Sequence, residues 1–136
     1  MRVLDNLVPE KVFYYFEELC NIPHGSTNTK AISDYCVNFA KERGLAYHQD
    51  PENNIIILKN GSKGYEDSKP VIIQGHLDMV CEKEADCTID FEKDGLSLAI
   101  DGDYIYAEGT TSGGDDGIAV AMALAILDDD TLEHPP

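Results

Sequence analysis

The sequence predicts an α/β fold in which helices and strands alternate along a single domain of 136 residues. Apolar residues recur at helical spacing in two N-terminal segments, and short apolar runs bounded by turn residues follow them. Neither an internal repeat nor a Pro-rich linker divides the chain. The apolar fraction of 43% and the charged fraction of 26% are those of a globular protein, which excludes collagen-like and disordered classes.

The first two elements are amphipathic helices. Pro9 suits the first turn of a helix that continues through Cys20, because the fixed φ of proline is already helical. Ser26, Thr27 and Asn28 can each cap a second helix, which we expect to end at Gly44. We expect Cys20 and Cys36, which lie in these apolar patterns, to be buried, reduced thiols.

Strands follow. Segments 45–49 and 54–59, joined by a turn, predict an antiparallel pair, and the apolar run 71–73 predicts a central strand covered on both faces. Segments 98–100 and 104–106 flank a turn and predict a hairpin. A final helix over 117–127 is apolar on every side and is therefore expected to be buried.

The formal net charge of −16 arises from 10 Lys and Arg against 26 Asp and Glu. Duplex DNA and anionic membranes repel such a surface, so we expect neither as a partner. The longest apolar run has ten residues, well short of the ~20 that a bilayer requires, and the N-terminus lacks the pattern of a secretory signal. A cytoplasmic location is the default expectation. Carboxylates in excess serve solubility, or some of them gather around metal ions.

Two groups of residues are candidates for a functional site, and the first is His76-Leu77-Asp78 directly after the predicted central strand. Residues two apart in an extended segment point to the same side, so His76 and Asp78 can face one cavity. This suits a metal-binding imidazole and the carboxylate that orients it. An isolated pattern of this kind is more often a polar loop without a ligand.

The second group is the glycine-rich stretch 109–117, which contains Asp115 and Asp116 at the entry to the last helix. Phosphate binding is disfavoured because two acidic residues stand where an anion would lie. Helix capping accounts for one of the two aspartates and explains two less well. A carboxylate can also bridge two metal ions ~3.5 to 4 Å apart, so a metal site is the alternative.

Other interpretations stay open. Cys81 could pair with His76 in a thiol hydrolase, although no orienting partner or oxyanion hole is apparent. The chain could instead be a non-enzymatic acidic domain that binds a metal ion or a protein. His24, His48 and His134 lack partner spacing and are interpreted as surface or loop residues.

Segments 74–83 and 109–118 together resemble the aminoacyl-histidine dipeptidases, also called Xaa-His dipeptidases or peptidase D. Segments 16–23 and 39–45 and the residues around Asn54 match that family too, so the resemblance covers nearly the whole chain. It implies a zinc-peptidase-like catalytic domain, with a mixed, mostly parallel sheet flanked by helices. It also implies a cytosolic enzyme that hydrolyses dipeptides with two zinc ions, or with manganese or cobalt.

Carried over by position, the resemblance implies that His76 is a ligand to one metal ion and that Asp78 is the catalytic-site carboxylate that orients it. It implies that Asp115 bridges both ions, while Asp116 stands where the family more often has Asn. Residues 1–136 are then the N-terminal part of the catalytic domain. The general base, further ligands and a second lid domain, through which a homodimer could form, would lie outside them. We therefore expect this chain to be inactive alone.

Overall fold

The computed structural model describes residues 2–136, in which three helices and two pairs of strands are formed. The elements in chain order are α1 (Glu10–Cys20), α2 (Lys30–Glu42), β1 (Ala46–Gln49), β2 (Ile55–Leu58), β3 (Leu98–Asp101), β4 (Tyr104–Ala107) and α3 (Gly114–Leu127). The α/β class is thus confirmed. Both strand pairs are antiparallel two-stranded sheets, so the mostly parallel sheet is not formed within residues 2–136.

The two N-terminal helices agree with the prediction. Pro9 is the N-cap residue of α1, and Gly44, with a φ of 64°, follows the end of α2 in the left-handed conformation that glycine adopts readily. The prediction that one of residues 26–28 caps α2 is wrong. Thr29 is the N-cap residue, and its side chain makes no capping hydrogen bond.

The core lies where α1 packs against α3, with α2 and the β3–β4 hairpin around them. The buried apolar side chains there include Tyr15, Phe16, Leu19, Ile32, Phe39, Leu98 and Leu124. Cys20 and Cys36 are buried free thiols, as expected, and burial raises the pKa of each to about 12. No helix in the described part of the chain combines the length and apolar character that a membrane span requires.

The predicted central strand at residues 71–73 is wrong. These residues belong to no strand, and Ile72 is 90% exposed. A strand requires a hydrogen-bonded neighbour, yet β1 and β2 pair with each other and β3 pairs with β4. One backbone hydrogen bond, from Val71 N to Pro136 O at 2.9 Å, contacts the segment. The apolar run is therefore present without the partners that would make it a strand.

The prediction that the last helix is buried on every side is also wrong. Ala121, Leu124 and Ala125 are buried, whereas Met122 is 48% exposed, because α1 covers one face of α3 only. Part of the opposite face lines a groove of about 470 Å³, whose other walls are β2 and residues 73–78. The candidate site lies along this groove.

Candidate metal and active site

The side chains for which the sequence predicts chemistry lie on one loop and at the start of α3, and hydrogen bonds join this loop to the loop before α3. The first loop comprises residues 75–84, and the second comprises residues 109–113. Glu84 N donates to Gly109 O at 2.8 Å, and Thr111 N donates to Glu82 O at 3.0 Å. The Thr111 hydroxyl also donates to Val80 O at 2.7 Å. The two loops thus form one platform.

A third loop, which precedes α2, joins the same platform. Gly25 and Met79 form an isolated parallel β-bridge. Met79 N donates to His24 O at 3.0 Å, and Ser26 N donates to Met79 O at 3.1 Å. A Cβ atom on Gly25 would lie 2.7 Å from the Cys81 sulfur, which is closer than such atoms approach, so a side chain at position 25 would require the Cys81 side chain to move.

His76 lies between two carboxylates. Its Nδ1 atom is 2.9 Å from the Asp78 backbone oxygen and 3.1 Å from Asp78 Oδ1, and its Nε2 atom is 2.9 Å from Asp115 Oδ1. The hydrogen bond to Asp115, followed by the backbone contact with Asp78, raises the pKa of the imidazole above its ordinary value. The structure therefore brings together the three residues for which the sequence predicts chemistry.

At the start of α3, the side chains of Asp115 and Asp116 contact different groups of His76. Gly113 has a φ of 65°, and neither aspartate has helical dihedral angles; the peptide bond between them is cis. The Asp115 side chain is 96% exposed and reaches the imidazole. Asp116 Oδ2 instead accepts a hydrogen bond from the His76 backbone N–H at 3.2 Å. Asp115 therefore contacts the imidazole, and Asp116 contacts the backbone that bears it.

Asp78 has a partner that sequence analysis missed. The Ser26 hydroxyl donates to Asp78 Oδ2 at 2.6 Å, and this bond is the main cause of the lowered pKa of the Asp78 carboxyl. The two residues are 52 positions apart, and no motif connects them. Sequence reasoning assigned Ser26 to helix capping, which is the commoner use of a serine before a helix.

The structure bears on two further interpretations. His24 lies in a loop, as expected, but is 4% exposed; its Nδ1 atom lies 2.6 Å from Ile22 O, and desolvation lowers the pKa of its imidazole. Cys81 contacts Met79 O at 3.8 Å rather than His76, and burial raises the pKa of its thiol. A raised thiol pKa is the opposite of what a nucleophilic cysteine needs.

The donors around His76 fit part of a metal site. An imidazole nitrogen and carboxylate oxygens are ligands that zinc and related divalent ions accept. Within residues 2–136, however, no group of three or more His, Cys, Asp or Glu side chains is arranged to hold an ion. His76 and Asp115 thus supply the right chemistry for a metal site but not a complete set of ligands.

Comparison with known proteins shows similarity along the chain. All 136 residues align, at 42% identity, with the cytosol non-specific dipeptidase of Escherichia coli strain K12. The fold matches the crystal structure of aminoacylhistidine dipeptidase from Vibrio alginolyticus with a TM-score of 0.94 over 97% of this chain, at 37% identity. No protein-family model matches the chain. The resemblance to aminoacyl-histidine dipeptidases is therefore confirmed.

The matched region is a small part of those proteins. The chain spans 28% of the length of the Escherichia coli dipeptidase and 27% of the Vibrio alginolyticus chain. The similarity therefore shows that these residues share the fold of about a quarter of an aminoacylhistidine dipeptidase.

Proposed function

We propose that residues 1–136 form the N-terminal part of the catalytic domain of a metal-dependent dipeptidase, which hydrolyses Xaa-His or a broader set of dipeptides. The observation that carries this proposal is the His76 imidazole held between Asp78 and Asp115, with a carboxylate oxygen near each ring nitrogen. Similarity over the whole chain to two proteins named as dipeptidases supports it.

In this proposal His76 and Asp115 hold metal, and Asp78 orients the imidazole. By accepting the Nδ1 proton, Asp78 leaves the Nε2 lone pair available as a ligand. Zinc is the expected ion, with manganese or cobalt as substitutes, and two ions are expected per complete site. Such ions polarise a peptide carbonyl and lower the pKa of bound water. The resemblance to aminoacyl-histidine dipeptidases implies that the general base lies outside residues 1–136.

We propose a cellular location and binding partners for the protein as well. The name of the Escherichia coli protein places that protein in the cytosol, and we propose the same location here. A net charge of −16 disfavours nucleic acid and anionic membranes as partners, which leaves the dipeptide as the expected partner. A homodimer through a second domain stays a prediction.

A chimaera tests this proposal. We expect residues 1–136 to yield an active dipeptidase when they replace the matching segment of the Escherichia coli enzyme. His76→Ala and Asp115→Ala in the chimaera should each reduce kcat/KM at least about a hundredfold, because each removes a ligand. His48→Ala and Asp103→Ala, on exposed residues outside the site, are matched controls. A well-folded chimaera that binds zinc without hydrolysing dipeptides would favour the non-enzymatic acidic domain.

The 136-residue chain alone should not hydrolyse an Xaa-His dipeptide above background in the presence of zinc. The reason is that two protein ligands do not complete even one tetrahedral catalytic site, which uses about three. Product formation followed by chromatography checks this expectation. Turnover that is abolished by a chelator and restored by zinc would contradict it.

A further inference from the structure

We propose that Ser26 is a positioning residue that orients the Asp78 carboxylate and thereby keeps the His76 proton on Nδ1. The inference rests on the proposed function, in which His76 Nε2 is a metal ligand. It adds Ser26, from the loop before α2, to a site whose other residues lie in loop 75–84 and at the start of α3. The chain of contacts runs from the Ser26 hydroxyl through Asp78 to the imidazole.

The geometry divides the two oxygens of Asp78 between two donors. Oδ2 accepts the Ser26 hydroxyl at 2.6 Å, and Oδ1 lies 3.1 Å from His76 Nδ1. With Oδ2 so engaged, rotation of the carboxylate away from the imidazole would break a short hydrogen bond to an ionised group, the stronger kind. Ser26 thus holds Oδ1 towards the ring.

The Ser26 backbone is itself fixed. Its N–H donates to Met79 O at 3.1 Å, and the neighbouring Gly25 forms the β-bridge with Met79, the residue after Asp78. These contacts with Met79, a buried residue of the core, place the hydroxyl beside the carboxylate. A flexible surface serine would lack this backbone constraint.

The tautomer of His76 is the readout, since a merely structural serine would leave it unchanged. Nitrogen-15 chemical shifts of the imidazole, measured at a pH where the ring is neutral, report how much of the proton lies on Nδ1. Ser26→Ala should shift part of the proton population from Nδ1 to Nε2, where Asp115 Oδ1 lies 2.9 Å away. The Asp78 carboxylate is then free to rotate, and the Asp78 backbone oxygen, 2.9 Å from Nδ1, is the acceptor that stays. Ser26→Thr, which retains the hydroxyl, should restore the distribution of the unmodified chain.

Ser26→Val keeps the shape of threonine and lacks the hydroxyl, so the Thr and Val variants differ in the donor alone. Ser112→Ala, in the adjacent loop, is the matched control, because the Ser112 hydroxyl does not contact Asp78. Backbone amide spectra report whether each variant folds. An unchanged tautomer in folded Ala or Val variants overturns the proposal. A Val variant that unfolds while the Thr variant folds also overturns it, by making the role of Ser26 structural.

Zinc titration of the same Ser26 variants in the chimaera with the Escherichia coli enzyme adds a second measurement. Ser26→Ala should weaken zinc binding by about threefold to tenfold, less than the loss of a direct orienting partner, which is about 10- to 100-fold. Absence of zinc binding by the unmodified chimaera would count against the proposed function alone, because the tautomer is measured without metal. The two proposals therefore fail separately.

Discussion

Gly25 shows how a missing side chain shapes the site at the scale of one residue. Its backbone forms a bridge with Met79, and the Cys81 sulfur occupies the space that a Cβ atom would need. The thiol, which does not contact His76, therefore has a packing role at this position.

Gly25→Ala should lower the free energy of unfolding by about 1–3 kcal/mol, because the new methyl group would overlap the Cys81 sulfur. Urea denaturation measures this change. Gly114→Ala is the matched control, since its Cβ atom would meet only Ser112 Oγ, at 3.6 Å. Combining Gly25→Ala with Cys81→Ala should recover part of the loss. If the losses of the two single variants simply add, the overlap is not the cause.

The sequence predicts part of the site at this scale. The proximity of His76 and Asp78 follows from their spacing of two residues, which is a local property. The contacts of His76 with Asp115 and of Asp78 with Ser26 join residues 39 and 52 positions apart. Such contacts depend on how loops meet, which the residues within one loop do not specify. The burial of His24 was missed for the same reason.

At the scale of elements, Asp128 joins the C-terminus of α3 to α1 and α2. Its carboxylate accepts from Arg43 Nε at 2.6 Å and lies 3.0 Å from Lys11 Nζ. Burial by itself raises the pKa of this carboxyl, but hydrogen bonds from Arg43, Lys11 and Tyr15 outweigh it and hold the pKa below the ordinary value. An acidic residue that opposes the helix dipole is thus retained by two cations.

Asp128→Asn should reduce the free energy of unfolding by about 1–2 kcal/mol at neutral pH, as expected for partly exposed, charge-assisted hydrogen bonds. Because the pKa is lower in the folded state, the stabilisation exists above the unfolded pKa and is lost as the pH falls through the folded one. Unfolding measured at neutral and at strongly acidic pH checks this. Asp130→Asn, on an exposed carboxylate, is the control. A difference between the Asp128 variant and the unmodified chain that persists at acidic pH would contradict the assignment.

Local elements are predicted well, and elements that need distant partners are not. The helices α1 and α2 follow from apolar spacing, and the two hairpins follow from turn residues between adjacent runs. Segment 71–73 has the composition of a central strand, but no other strand pairs with it in the described residues. The composition of a segment indicates whether it is suited to burial in a sheet, whereas forming a strand also requires a neighbouring strand with which to hydrogen-bond.

At the scale of the whole molecule, a strongly acidic chain carries exposed apolar side chains. The net charge of −16 keeps copies apart, while Ile72 and the exposed face of α3 favour contact between them. Which effect dominates depends on ionic strength, since salt screens the repulsion and leaves the apolar attraction in place.

The chain should therefore be monomeric at low ionic strength and self-associate as salt is added, which sedimentation velocity measures. Ile72→Glu should suppress the association, because it places a charge within the exposed apolar segment. Val8→Glu adds the same charge to an exposed residue outside segment 71–73 and is the control. Equal suppression by both variants would mean that net charge alone, rather than the apolar segment 71–73, governs association.

The three loops around His76 are held by contacts between remote parts of the chain. The hairpins and helices need only nearby residues, whereas the bridge from Gly25 to Met79 and the contact between His76 and Asp115 close long loops. Closing such loops has an entropic cost, which the packing of the folded chain offsets. The candidate ligands therefore meet only when these long loops are closed. A partly unfolded chain contains all of these residues without bringing them together.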